Sequence, residues 1–358
     1  MSAALAPLGW NDRLGDLFAP YAAEGLTAGR VSLEHTHIYR VLTADGETVA
    51  RVAGRLRHEA AMRADFPAVG DWVALEAAAR GASRIRAVLP RSSRFSRRAA
   101  GNPTEEQIVA ANIDTVFLVA GLDRDFNVRR IERYLVVAWE SGAAPVIVLN
   151  KIDLVDDPER FVADVRSLAP HVPVLPVSCR APGALDVLRP YIRFGQTGAL
   201  LGSSGVGKSS IVNGLIGHDL LRTRDVRESD SRGRHTSTSR QLVLLPGEGI
   251  LIDTPGMREL QLWETGEALG GTFEDIDSLA AGCRFRDCRH RSEPGCAVRA
   301  AVVSGTLEAA RLGSFSKLQD EQAFQARQQD ERAQIEEKRR AKVGSKALAK
   351  RLKDKGRD

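Results

Sequence analysis

The feature that most constrains the fold is a glycine-rich loop between an apolar strand and a helix. Residues 202–209 read Gly-Ser-Ser-Gly-Val-Gly-Lys-Ser, which fits the pattern G-x4-G-K-[ST]. Glycines let such a loop wrap so that its backbone N–H groups face phosphate oxygens, and the N-terminus of the following helix favours negative charge. The pattern therefore predicts a P-loop on a parallel α/β sheet.

The loop also assigns roles to individual side chains. Lys208 is expected to reach the β- and γ-phosphates of a nucleotide, and the Ser209 hydroxyl to bind Mg²⁺. The other candidate nucleotide-binding residues of this segment are Gly202, Ser203, Ser204, Gly205, Val206, Gly207 and Ser210. The loop alone does not separate GTP from ATP, and its alternative interpretation is a plain strand-to-helix turn.

A second motif favours guanine. Residues 150–153, Asn-Lys-Ile-Asp, close an apolar strand and match the N-K-x-D element of GTPases. The Asp153 carboxylate would accept hydrogen bonds from the guanine N1–H and exocyclic amine, which adenine does not present in that arrangement. Asn150 would contact the other edge of the base and Lys151 would pack near the ring, with Ile152 between the contacting residues. Ser178 ends the next strand, where GTPases place a loop that contacts the guanine oxygen.

Two further segments resemble nucleotide switches. Asp253-Thr-Pro-Gly256 closes an apolar strand, so Asp253 is expected to hold Mg²⁺ through water and the Gly256 N–H to sense the γ-phosphate. Thr236 and Thr238 are candidates for the switch residue that closes on Mg²⁺.

The segment around these switches also bears on catalysis. Met257 stands where many GTPases carry a water-orienting glutamine, so intrinsic hydrolysis should be slow. The His235 imidazole is a candidate for orienting the attacking water, and an exposed loop histidine without a role is the alternative.

The order of these motifs is unusual. The base-reading residues precede the P-loop and the switches come last, whereas conventional GTPases begin with the P-loop. The same sheet can be assembled in either order because the termini of such domains lie close together. The order predicts a circularly permuted GTPase domain whose end, just after Gly256, connects directly to the next region.

A metal centre is predicted in that next region. Cys283, Cys288, His290 and Cys296 supply three thiolates and one imidazole within fourteen positions. This donor set fits a closed tetrahedral Zn²⁺ site, one ion per chain, that is structural because no coordination position stays open. The alternative is a group of unrelated thiols, but the surrounding sequence is too polar to form a core without the metal.

Charge and hydropathy bear on partners and location. The net charge of +5 comes mostly from residues 338–358, which hold ten Lys/Arg and two Asp. A second cluster comprises Arg80, Arg84, Arg86, Arg91, Arg94, Arg97 and Arg98. Such clusters suit a polyanion such as RNA, although a solvated basic face is the alternative. No segment has the roughly 20 apolar residues that cross a bilayer, so a cytoplasmic protein without membrane contact is expected.

The remaining segments complete the architecture. Residues 29–91 contain short alternating strands separated by turn signals, which predict a small antiparallel β-barrel. From residue 112, long apolar strands alternate with amphipathic helices, as in a parallel sheet covered on both faces. The tail from about residue 319 has few apolar anchors and should be a solvated helix or disordered.

Taken together, the chain resembles the family of ribosome small-subunit-dependent GTPases of the RsgA/YjeQ type. The resemblance covers residues 29–315 and includes Ala68-Val-Gly-Asp-Trp-Val, Val88-Leu-Pro-Arg, Ala111-Asn-Ile-Asp and His235-Thr-Ser-Thr. It implies an OB-fold that contacts 16S rRNA, and GTP hydrolysis stimulated by the 30S subunit during its late maturation. The family's usual His-Thr-Thr-Thr is His-Thr-Ser-Thr here, so the hydroxyl that binds Mg²⁺ stays open.

We therefore expect a multi-domain protein with an N-terminal OB-fold β-barrel, a permuted P-loop α/β GTPase domain and a mostly helical zinc region. The predicted boundaries are an extension at 1–28, the barrel at 29–100, the GTPase at 101–262, the zinc region at 263–318 and a basic tail at 319–358. Nothing in the sequence demands a dimer. Two competing functions stay open: a zinc-dependent RNA-binding module that uses GTP only as a conformational ligand, and a P-loop ATPase with a coincidental N-K-x-D string.

Overall fold

The structure is a computed structural model that describes residues 2–35, 38–78, 81–99, 102–217, 241–245, 247–253, 267–324 and 326–327. The strands are β1 Thr27–His35, β2 Ile38–Thr43, β3 Gly46–Val52, β4 Trp72–Glu76, β5 Ser83–Val88, β6 Arg94–Ala99, β7 Asn102–Ala111, β8 Thr115–Gly121, β9 Ala144–Asn150, β10 Val174–Pro176, β11 Thr197–Leu201, β12 Gln241–Leu244 and β13 Ile250–Asp253. The helices are α1 Ser2–Leu5, α2 Asp12–Ala23, α3 Gly54–Glu59, α4 Val128–Ser141, α5 Pro158–Leu168, α6 Lys208–Ile216, α7 Glu267–Thr272, α8 Glu274–Ala280, α9 Ala297–Val303 and α10 309–324. Within these ranges no helix has the length and apolar character needed to span a membrane.

Strands β1 to β5 form a closed five-stranded barrel, as the sequence predicts. The order around it is β1-β2-β3-β5-β4, and β4 pairs back with β1. Alternate residues point inward and pack Val31, Tyr39, Val41 and Ile85 into one buried cluster. One pair departs from the expected antiparallel pattern, since β3 and β5 run parallel. The chain can make this pairing because α3 and β4 lie between the two strands.

The N-terminal segment, which matches no sequence motif, covers one side of the barrel. Helix α2 begins after Asn11, whose Oδ1 accepts the Leu14 N–H at 3.0 Å. Its apolar face buries Leu14 and Phe18 in a cluster that also contains Trp72 of β4. Trp10 meets Trp72 edge to face, with ring centroids 4.9 Å apart. The segment therefore adds a second core to the outside of the barrel.

The α/β domain has a sheet in the order β10-β9-β8-β11-β13, all parallel, with β12 antiparallel on β13. Val116, Phe117, Leu118 and Val119 of β8 are all buried because helices cover both faces. In a parallel sheet every strand ends at the same edge. The loops that follow β8, β9, β11 and β13 are therefore neighbours in space.

The barrel and the α/β sheet are joined directly. Strand β1 pairs with β12 at Leu33 and Gln241. A buried arginine, Arg30, lies at the same junction and donates to the carbonyl oxygens of Gly70 and Asn112 at 3.2 and 3.0 Å and to Thr197 Oγ1 at 2.9 Å. Burial lowers the pKa of Arg30 to about 10, so the group stays protonated at neutral pH.

The C-terminal helices pack on α4. Arg311 of α10 forms a bidentate ion pair with Asp275 at 2.6 and 2.7 Å and a bond of 2.8 Å to Oε1 of the fully buried Glu132 on α4. Arg133 and Glu321 form a second bidentate pair at 2.6 and 2.7 Å. Residues 319–324, the start of the segment predicted as a solvated helix or disordered tail, therefore continue α10 on the α/β domain, with Gln322 buried.

Candidate nucleotide site and metal centre

The P-loop joins β11 to α6, and local sterics explain its glycines. A Cβ on Gly202 would lie 2.3 Å from the Val119 carbonyl oxygen of neighbouring β8. Gly205 and Gly207 adopt positive φ of 77° and 99°, which residues with a Cβ rarely adopt. The backbone then turns into α6, which begins at Lys208. The loop has the strand-loop-helix context that its motif requires.

The base-reading motif meets this loop directly. The Asn150 side-chain amide at the end of β9 donates to the Val206 carbonyl oxygen at 2.8 Å. A Cβ on Gly207 would lie 2.2 Å from Asn150 Nδ2, so only glycine fits there. Asn150 Oδ1 also accepts the Cys179 N–H at 3.3 Å. Asn150 therefore joins two loops that lie 56 and 29 residues away in the sequence.

Asp153 is oriented by the following loop. Ser178 Oγ donates to Asp153 Oδ1 at 2.6 Å, and the exposed Arg180 guanidinium lies 3.4 Å from Oδ2. The hydrogen bond from Ser178 lowers the pKa of Asp153 below its usual range, which keeps the carboxylate ionised. An ionised carboxylate is the form that can accept both donors of a guanine edge.

Lys208 and Asp253 lie at the same edge. Lys208 Nζ donates to the carbonyl oxygens of Gly202 and Ser203 at 2.7 and 2.6 Å. The backbone of Asp253 ends β13, which pairs with β11 through Ala199 and Ile252, so this residue sits beside the P-loop. The remaining predicted switch residues, His235, Thr236, Thr238 and Gly256, lie outside the described residues, as does Met257.

The sequence motifs miss the loop after β8, which also borders the site. Asp123 forms an ion pair of 2.6 Å with Lys151 of the N-K-x-D element. Burial raises the pKa of Asp123, but the hydrogen bonds from Lys151 and the Asp125 amide outweigh it and hold that pKa below its usual range. Asp125 pairs with Arg130, which reaches the P-loop. Their position at the carboxyl end of a parallel strand is the signal that could have identified them.

The four predicted metal ligands converge in the C-terminal region. Their ligand atoms all lie within 4.8 Å of one another. Cys283 Sγ is 3.9 Å from Cys296 Sγ and 3.6 Å from His290 Nδ1, and His290 Nδ1 is 3.4 Å from Cys296 Sγ. A tetrahedron with Zn–S bonds of about 2.3 Å and a Zn–N bond of about 2.0 Å has edges of roughly 3.5–3.8 Å. The three distances among Cys283, His290 and Cys296 are close to these edges, and the donor set is one that could hold a metal ion such as zinc.

Backbone geometry helps to bring these ligands together. His290 adopts a positive φ of 59° and Gly295 one of 73°. These two tight turns fold the segment back on itself, so that the imidazole and the Cys296 thiol lie on the inside. The arginines of the same segment, Arg284, Arg286 and Arg289, remain exposed.

The permuted order of the loops on one parallel sheet defines the class of protein: a circularly permuted P-loop GTPase with an N-terminal β-barrel. Comparisons with known proteins agree. The sequence profile of the RsgA GTPase family matches residues 88–263. Small ribosomal subunit biogenesis GTPase RsgA of Opitutus terrae is 50% identical over 336 residues, which cover 91% of this chain and 92% of the relative. The protein of the same name from Methanosarcina acetivorans is 43% identical over 346 residues, 96% of this chain and 91% of the relative.

Solved structures give the same result. YjeQ from Thermotoga maritima superimposes with a TM-score of 0.63 at 25% identity, covering 83% of this chain and 99% of that protein. YloQ, described as a circularly permuted GTPase, gives 0.59 at 25% identity and covers 83% of this chain and 95% of that protein. The chain belongs to the RsgA GTPase family and is a GTP-hydrolysing enzyme.

Proposed function

We propose that this GTPase binds the small ribosomal subunit and hydrolyses GTP in the final steps of subunit assembly. The observation that carries the nucleotide part is the Asn150 amide held on the Val206 carbonyl, because it joins the base-reading motif to the phosphate-binding loop. The small subunit is proposed as the partner because the relatives are named small ribosomal subunit biogenesis GTPases.

In this proposal the guanine lies against the loops after β9 and β10. Asp153 accepts the N1–H and the exocyclic amine, and the Ser178 hydroxyl keeps that carboxylate in place. The phosphates lie along residues 202–210, whose backbone N–H groups and Lys208 ammonium balance their charge. Mg²⁺ would be held by Ser209 and Asp253 and would neutralise charge on the phosphate oxygens. The bond that breaks is the β–γ phosphoanhydride, with His235 as the candidate for orienting water and Thr236 or Thr238 as the switch residue.

The Cys283, Cys288, His290 and Cys296 cluster is proposed to bind one structural Zn²⁺. Four good ligands leave no open coordination position, so the ion would hold the fold of this segment and take no part in hydrolysis. Because the segment is otherwise mostly exposed, the metal would supply much of its folding free energy.

The barrel and the adjoining strand β6 are proposed to contact 16S rRNA through exposed arginines. Arg84 on β5 is exposed, and Arg94 on β6 is 47% exposed and 3.9 Å from Glu106. Arg91 is excluded from this surface because it is only 16% exposed and bonded to Asp71 at 2.7 Å. Contacts of this kind bind phosphates without reading sequence, so affinity should fall steeply with salt.

We place the protein in the cytoplasm as a monomer.

GTP turnover with and without purified 30S subunits, at fixed salt, tests this function. We expect slow hydrolysis alone, a large rise on adding 30S subunits, and no turnover of ATP. An unchanged rate with 30S subunits would contradict the ribosomal part, and ATP turnover equal to that of GTP would contradict the guanine site. Lys208→Ala separates the enzyme from an RNA-binding module, because the module would retain its function and nucleotide-independent RNA affinity without the lysine.

A further inference from the structure

The first turn of α4 places an arginine against the P-loop. Asn127 Oδ1 accepts the N–H groups of Arg129 and Arg130 at 2.9 and 3.2 Å and so fixes the start of the helix. From there Arg130 Nη1 reaches Ser203 Oγ at 2.7 Å. Arg129 points elsewhere, to Glu132 and Glu308. Only one of the two neighbours therefore touches the phosphate-binding loop.

Asp125 holds this arginine in place. Its carboxylate accepts Nη1 at 2.5 Å and Nη2 at 3.1 Å, a bidentate arrangement that fixes the plane of the guanidinium. The hydrogen bond to Asp125 raises the pKa of Arg130, so the group is charged at any physiological pH. Asn127 holds the backbone of Arg130 and Asp125 holds its guanidinium, so that Arg130 presents a fixed N–H donor to Ser203.

Ser203 is also in contact with Lys208, the lysine proposed to bind the phosphates. Lys208 Nζ donates to the Ser203 carbonyl oxygen at 2.6 Å, while Arg130 binds the side chain of the same residue. On the preceding side, Gly202 packs against the Val119 carbonyl with no room for a Cβ. Ser203 is thus contacted both by Arg130 of α4, through its hydroxyl, and by Lys208, through its carbonyl oxygen.

We propose that Arg130 is a positioning residue for GTP hydrolysis: acting through Ser203, it fixes the first turn of the P-loop in the shape that receives the triphosphate. Asp125 serves as its orienting partner. The proposal rests on the proposed nucleotide site. It concerns placement, and misplacing reacting groups by about 1 Å can cost up to roughly 10²-fold in rate.

Full-length variants with matched controls test the proposal through kcat and KM for GTP. We expect Arg130→Ala and Ser203→Ala each to lower kcat about 10-fold and to change KM less than about 3-fold. Because the two side chains act as one unit, the double variant should be no slower than the slower single variant. Arg130→Lys should recover part of the rate and Asp125→Asn should lose part of it. Arg124→Ala, an exposed arginine of the same loop, should match wild type.

The outcomes separate this proposal from the proposed site. Wild-type kcat and KM in Arg130→Ala would overturn it, and so would losses that multiply in the double variant. The unfolding temperature and the GDP affinity show whether Arg130→Ala is misfolded. If it is, Asp125→Asn and Ser203→Ala decide the question, because the proposal expects each to lower kcat with little change in KM. If Lys208→Ala keeps full GTP turnover, the nucleotide site itself is wrong.

Discussion

The nucleotide-site loops and the segment that contains Cys283, Cys288, His290 and Cys296 (the Cys3His segment) are both candidate ligand sites, but different forces assemble them. The loops after β9, β10 and β11 are joined by hydrogen bonds such as Asn150 to Val206 and Ser178 to Asp153. They stand on a parallel sheet with two large buried apolar clusters. The Cys3His segment brings its four ligand atoms within 4.8 Å of one another but exposes most of its other residues. The first is held by the protein core, whereas we expect the second to depend on its metal.

The difference implies separable behaviour within a connected molecule. Arg311 ties the C-terminal helices to Glu132 on α4, the same helix that carries Arg130 toward the P-loop. This contact gives the two regions a physical connection without placing metal ligands in the nucleotide site. Changes at the phosphate loop should therefore lower GTP turnover strongly and leave zinc content unchanged. Changes at the cysteines should lower zinc content and leave nucleotide binding nearly unchanged.

The largest effect on the nucleotide site is expected from Lys208→Ala. Loss of the ammonium that balances the developing phosphate charge should reduce GTP turnover by about 10³-fold. Zinc content, measured by atomic absorption, should stay at that of wild type. Loss of zinc together with turnover would show that the two regions are not separable.

Asp153→Asn should have the next largest effect. Two hydrogen bonds to a charged acceptor are worth about 1.5–3 kcal/mol each, so GTP affinity should fall by roughly 10²-fold or more. Because an amide presents one donor in place of an acceptor, the variant should gain affinity for xanthine nucleotides. Titration calorimetry with GDP and XDP checks this, and unchanged GDP affinity would place the base elsewhere.

Cys288→Ser tests the other region and should leave nucleotide binding nearly intact. We expect zinc stoichiometry to fall from one toward zero and amide exchange to accelerate in residues 281–303, because metal binding stabilises this fold. GDP affinity should change less than about 3-fold, a shift of under ~0.7 kcal/mol. A much larger loss of GDP affinity would mean that the nucleotide loops also depend on the metal.

The smallest effect on the nucleotide site is expected from mild acid. The lowered pKa of Asp153 keeps its carboxylate charged. The contribution of this charged carboxylate to guanine binding is lost only as pH falls through the lowered pKa. The Asp153 contribution to GDP affinity, taken as the difference between wild type and Asp153→Asn, should therefore stay flat from pH 8 to about 5, while zinc is released as its ligands protonate. Parallel titrations of GDP binding and zinc release measure both, and a common midpoint would contradict the comparison.

Sequence reasoning worked best where the information is local. The four metal ligands lie within fourteen positions, and the structure brings all four together. The closed barrel and the permuted parallel sheet also follow from alternating and continuous apolar strands. The residues that bind the nucleotide and the domain boundaries remain predictions.

Other features depend on tertiary contacts that no motif encodes. The sequence pattern does not predict the hairpin of β6 and β7, because charged and polar residues interrupt its apolar ones and the pairing decides its structure. The sequence places Arg91 in a cluster of basic residues that suits a surface, yet its ion pair with Asp71 turns it inward. No motif identifies Asp123, Asp125 and Arg130, because they come close to the P-loop only when β8 and β11 pair in the sheet.

The most direct test of the account is an experimental structure of the full chain with Mg²⁺ and a non-hydrolysable GTP analogue. We expect the guanine N1 and exocyclic amine within about 3.2 Å of the Asp153 carboxylate. The phosphates should lie along residues 202–209, with Lys208 on the β- and γ-phosphates. A base bound away from Asp153, with phosphates elsewhere than this loop, would contradict the claim that the two rotated motifs form one guanine-nucleotide site.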